Sequence, residues 1–71
     1  MKMKAVSNLD TVLIRQETLL GALTVATFHP DSSLLEIHEG CTRYLPGALV
    51  ALRSYQRERN QPTLPVRVEY W

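Results

Sequence analysis

Residues 23–39, LTVATFHPDSSLLEIHE, constrain the fold more than any other part of this sequence. Two runs rich in β-branched and aromatic residues flank PDSS, where Pro30 presets φ and Asp31, Ser32 and Ser33 can bond their own backbone. The pattern predicts a hairpin closed by the loop 30–33. Symmetric closure pairs His29 with Leu34, Thr27 with Glu36 and Val25 with His38. Because side chains alternate across a pleat, Thr24, Ala26, Phe28, Leu35 and Ile37 then share one face, which reads as core.

A helix follows. In YLPGALVALRSYQRERNQP, residues 44–62, Pro46 suits the first helical turn because the N–H it lacks has no intrahelical partner there. Asn60 and Pro62 supply the stop. Leu45, Ala48, Leu49, Leu52 and Tyr55 make one apolar stripe, while Arg53, Arg57 and Arg59 gather toward the end of the helix. Then LPVRVEYW, residues 64–71, alternates as a strand. It sets Leu64, Val66, Val68 and Tyr70 against Arg67, Glu69 and Trp71. Pro65 cannot donate to a ladder, which puts the beginning of this strand at a sheet edge.

The segment DTVLIRQETLLG, residues 10–21, admits two readings. Ser7-Asn8-Leu9-Asp10 fits a capping box that would start a helix over 8–20. Against this, Thr11, Val12, Ile14 and Thr18 carry branched side chains that suit a pleated sheet, and Gln16 breaks the helical stripe. A strand over 11–18 is favoured, with the helix as the alternative. The whole chain, residues 1–71, is then one small α+β domain of two layers in the order β-β-β-α-β. One amphipathic helix covers one face of a mostly antiparallel four-stranded sheet, and residues 1–6 form a disordered stretch or a short extension. If the helix is a crossover, the last strand runs parallel to the third.

At 71 residues the apolar core is small, and chains of this size gain stability from disulfides, a metal or a partner. Cys41 is the only cysteine, which excludes an internal disulfide and a Cys-x-x-Cys zinc site. A partner is the remaining route. The net charge of +1 gives no general attraction to nucleic acid or anionic membrane. Residues 19–28 are too short and too interrupted to span a bilayer, so a soluble protein of the reducing cytoplasm is expected.

The run LLEIHEGC, residues 34–41, gathers potential ligands and a nucleophile. In the hairpin, however, His29 and His38 lie roughly 13 Å apart at about 3.3 Å per residue, too far to share an ion. No catalytic signature surrounds Cys41, which reads as a small buried hydrophobe where strand gives way to helix. No catalytic residue, metal or cofactor is therefore expected. The arginines 53, 57 and 59 offer a contact for anions or nucleic acid, or simply complement the helix dipole. The sheet face that the helix leaves open is more informative. Leu23, Val25, Arg67 and Trp71 would be its anchors, rimmed by Arg15, Glu36 and His38, a composition typical of protein interfaces.

The expected function is a non-enzymatic interaction or regulatory module. It binds another protein, either a second copy of itself through the open face or an edge strand, or a protein complex of its host. The alternatives are a small nucleic-acid-binding regulator using Arg53, Arg57 and Arg59, and a compact mobile-element inhibitor of a larger nucleoprotein complex.

Overall fold

A computed structural model describes residues 2–62 and 65–71. Its strands are β1 (Met3–Asn8), β2 (Thr11–Thr18), β3 (Gly21–His29), β4 (Leu34–Ile37) and β5 (Arg67–Tyr70). Between β4 and β5 come a short 3-10 turn, Thr42–Tyr44, and the helix α1, Leu45–Glu58. The strands form one sheet in the order β1-β2-β3-β4-β5, antiparallel except for the parallel β4–β5 pair. The α+β architecture holds, with one more strand than expected. Leu64, expected on the inner side of the last strand, lies outside the described residues.

The additional strand corrects the reading of residues 1–6. Met3–Asn8 pairs along its whole length with β2, from Met3↔Gln16 to Asn8↔Thr11. The four residues that resemble a capping box instead enter a hairpin turn, with Leu9 in the left-handed region at φ 53°. Thr11 Oγ1 donates to the carbonyl of Asn8 at 2.9 Å and braces that turn. A capping box needs a helix to cap, and Val12 and Ile14 bury better on alternate positions of a strand. The helical alternative for residues 8–20 is thereby excluded.

The hairpin of β3 and β4 has the expected register, His29↔Leu34 and Thr27↔Glu36. Ser33 closes its loop at φ 52°, then ties β5 in place: its Oγ donates to the Pro65 carbonyl at 2.8 Å and its own carbonyl accepts Arg67 N–H at 3.0 Å. The helix ends at Asn60, φ 56°, in a Schellman motif. Gln61 N–H bonds the Gln56 carbonyl at 2.8 Å and Asn60 N–H that of Arg57 at 3.1 Å.

Between helix and sheet lie Val12, Ile14, Val25, Ala26, Phe28, Leu35, Ile37, Cys41, Ala48 and Leu52, all buried. Leu45, Leu49 and Tyr55 pack at the margin of this core, as the apolar stripe requires. Gln56 is buried as well, its Oε1 accepting from Arg53 Nη1 at 3.1 Å. Gly47 lets the helix approach β1 closely, since a Cβ there would stand 3.2 Å from Met3 Cε.

One irregularity decides which side chains face which way. The β2–β3 register shifts between Ile14 and Arg15: Ile14 pairs with Ala26, but Arg15 pairs with Thr24. Val25 is the extra residue of a β-bulge, which breaks strict alternation. Two consecutive side chains, Val25 and Ala26, are both fully buried as a result. Residues before the bulge exchange faces with the simple pleat expectation.

Candidate functional site on the open sheet face

The bulge corrects two of the expected anchors. Val25 is 0% exposed and belongs to the core, so it offers nothing to a partner. Its carbonyl still accepts the His38 N–H at 2.9 Å, so the expected neighbourhood with His38 is kept by the backbone alone. Leu23 pairs with Gln16, which pairs in turn with Met3; this register moves Leu23 to the helix side of the sheet. Thr24 takes the position across from Arg15 on the open face. Arg15 is exposed there but sits on β2, about 14 Å from β5 at roughly 4.8 Å per strand.

Around β4 the expected residues do converge. Glu36 is on β4, and the parallel pairing with β5 carries the chain on to Trp71, whose N–H donates to the Ile37 carbonyl at 3.0 Å. That bond fixes the backbone next to Glu36 and His38. Trp71 Nε1–H then donates to Glu36 Oε2 at 2.9 Å, and the indole stacks on the His38 ring with centroids 5.2 Å apart and planes 22° from parallel. The other Glu36 oxygen, Oε1, bonds His29 Nε2. His38 Nε2 lies 2.8 Å from Thr27 Oγ1.

Thr27, His29, Glu36, His38 and Trp71 thus form one connected network over β3, β4 and the residue after β5. His29 and Thr27 were not among the anchors expected from sequence. Cross-strand geometry contains the missing signal: with His29 opposite Leu34, Glu36 is the diagonal neighbour of His29 and lies directly opposite Thr27. The remaining expected anchor, Arg67, has its Nε 3.6 Å from Glu69 Oε2, both side chains being largely exposed.

The network holds Glu36 ionised. The Trp71 indole N–H bonded to its carboxylate is the largest cause of a pKa below the ordinary 4.5, followed by the hydrogen bond from His29; partial desolvation opposes them. Trp71 is meanwhile 68% exposed, so its ring is presented to solvent while its N–H and one face are fixed. Chemically this arrangement is a stacking and apolar platform with a carboxylate beneath it. Among the described residues no three His, Cys, Asp or Glu side chains come together as a metal site.

The arginines of α1 are distributed otherwise. Arg59 lies over the Tyr55 ring at 4.4 Å and Arg53 donates to Gln56. Arg57 stands in the last helical turn, where a cation complements the dipole. Cys41 is buried and free. No helix among the described residues is long and apolar enough to cross a membrane.

Comparison with known protein families, with curated proteins and with solved structures finds no match to this chain. The functional reading therefore rests on the residues themselves.

Proposed function

We propose that this protein is a non-enzymatic protein-binding module whose contact surface is the open sheet face around Trp71. The observation that supports the reading is an exposed tryptophan that already has two partners, Glu36 at its N–H and His38 at its ring face. An exposed tryptophan free to rotate loses rotamer freedom when it binds, at a cost of about 0.5–1.5 kcal/mol for an ordered side chain. Here the fold has ordered it beforehand. Tryptophan is also the residue type most enriched among interface hot spots, whose truncation costs about 2 kcal/mol or more. The surroundings suit such a site: Arg67 and Glu69 form a charged rim on β5, and Leu34, across from Arg67, continues the same face toward the other end of β4. A regulatory role follows by occupancy, the module acting by what it covers. The single buried thiol, Cys41, fits a reducing compartment such as the cytoplasm.

The test is quantitative capture from extract of the native host with three immobilised proteins: wild type, Trp71→Ala, and a variant with Arg53, Arg57 and Arg59 all changed to Ala. The reading expects a protein partner that wild type and the arginine variant retain and that Trp71→Ala loses by roughly thirtyfold, the equivalent of about 2 kcal/mol. Retention by Trp71→Ala together with loss from the arginine variant would sink it. If the captured species were then nucleic acid whose binding weakened steeply with salt, the function would belong to the end of α1 instead.

A further inference from the structure

We propose that the free edge of β1 pairs with β1 of a second copy, antiparallel and centred on Ala5, joining the sheets of two molecules into one. This goes beyond the Trp71 surface, because β1 is the opposite edge of the sheet from β5 and needs none of the residues around Glu36.

The backbone sets the register. Lys2 turns its carbonyl toward β2, where it accepts Glu17 N–H at 2.9 Å. In an antiparallel pair each residue directs its N–H and C=O the same way, and successive residues alternate. Lys4, Val6 and Asn8 therefore bond to β2, and Met3, Ala5 and Ser7 direct their N–H and C=O groups outward. A two-fold axis normal to the sheet keeps every side chain on its own face, so a strand can pair with its own copy only about a residue. Centring on Ala5 matches every outward group: Ala5 meets Ala5, and Met3 meets Ser7 of the second copy. The β5 edge is a poorer acceptor, being only Arg67–Tyr70, following Pro65 and carrying the Arg67–Glu69 pair.

Charge selects a second copy in this orientation. Lys2 and Lys4 lie at the beginning of β1, while Asp10 follows its end. Helix α1 runs alongside in the same direction, from Gly47 against Met3 to Tyr55 and Gln56 near Ser7 and Leu9, so Arg57, Glu58 and Arg59 stand together at that end on the helix side. Antiparallel pairing sets Lys2 of one copy across from Asn8 of the other, next to Asp10; parallel pairing would align the lysines. A strand edge with lysines at its beginning and Asp10 just beyond its end brings opposite charges together under a two-fold axis. Lys4 falls opposite Val6 of the second copy on the open face, where its charge stays in water.

The helix side has room for the joint. A groove of about 640 Å³ runs along β1, with Met3 and Ala5 as floor and Gly47, Val50 and Ser54 on its wall. Val50 is 67% exposed on that wall. Because α1 lies along β1, with Gly47 against Met3, pairing of the two β1 strands brings the two helices side by side. Small side chains on the groove wall permit that approach, and Val50 is covered by it.

Sedimentation equilibrium of the full chain across a concentration series reads the assembly, and amide hydrogen exchange reads the edge. The expected results are a dimer mass and exchange at Met3, Ala5 and Ser7 that slows as concentration rises. Ala5→Pro removes an outward N–H, a change tolerated on an edge strand. Val50→Glu sets like charges across the helix contact without touching the core. Each weakens dimerisation at least about tenfold, and Val50→Glu keeps the thermal unfolding of the monomer even where the proline disturbs β1. A wild type that stays monomeric at every concentration overturns the proposal, as do variants that dimerise like wild type. A dimer dissolved by Trp71→Ala and unaffected by these two variants also overturns it, and assigns self-association to the open face.

Discussion

Truncating Val25 to alanine distinguishes the bulged β3 from a regular one. On a regular strand Val25 would face solvent on the open side, and its loss would change stability by no more than about 0.5 kcal/mol, as for most surface substitutions. In the bulge it is 0% exposed. Removing two buried methyl groups at about 0.8 kcal/mol each costs about 1.6 kcal/mol, and the cavity left behind raises the total to about 2–3 kcal/mol. A chain of 71 residues has about 4–11 kcal/mol of stability in all. The variant therefore loses a large part of it, and its Tm falls by about 10–20 °C. Urea denaturation followed by far-UV circular dichroism measures the change, with the midpoint lowered and the m-value retained. Glu69→Ala, on the exposed rim, is the control and stays within about 0.5 kcal/mol of wild type. Equal midpoints for Val25→Ala and Glu69→Ala would refute the bulge and return Val25 to the surface.

Acid should act through Glu36. Its folded pKa lies below the ordinary 4.5, so its contribution to stability is fully present above about that pH and is lost as pH falls through the folded value. Glu36→Gln removes this dependence; the stability gap between wild type and variant narrows on acidification, and a gap that widens instead would contradict the sign. Leu9 occupies the left-handed region at φ 53° while its side chain is 96% exposed. Leu9→Gly relieves about 1–2 kcal/mol of backbone strain against about 0.5–1 kcal/mol of added chain entropy, so thermal melts should show a small gain, and a clear loss would count against the turn geometry. At Gly47 a new Cβ would meet only the end of the Met3 side chain, 3.2 Å from Cε and 3.3 Å from Sδ. That flexible tip can move by a few tenths of an ångström, so Gly47→Ala should raise stability by up to about 1 kcal/mol from helix propensity; a loss in the same melts would show that α1 needs its close approach to β1.

Local chemistry made several elements readable before the structure. The PDSS loop, the Asn60 stop and the apolar stripe of α1 each follow from residues within a few positions of one another, and each is found where those residues put it. Two features depend on distant pairing and were hidden. Met3–Asn8 becomes a strand because Ile14 and Gln16 offer it a partner, which no pattern inside MKAVSN announces. The bulge inserts Val25 where TVAT reads as uninterrupted alternation, and that one residue carries Val25 into the core and Leu23 to the helix side. Downstream of the bulge the alternation is intact. That is why Glu36, His38 and Trp71 meet on the open face as their spacing implies, whereas the role of His29 needed the diagonal neighbour to be counted.

Trp71 is the only tryptophan of the chain, so its emission reports on a single site. Time-resolved fluorescence anisotropy of the dilute wild-type protein tests most directly whether this side chain is a pre-set anchor. The structure predicts a decay governed by tumbling of the whole molecule, and in Glu36→Ala, where the indole N–H loses its acceptor, the appearance of a fast local component. A wild-type decay dominated by sub-nanosecond motion would contradict the account, because an indole that swings freely is not the ordered surface on which the proposed function depends.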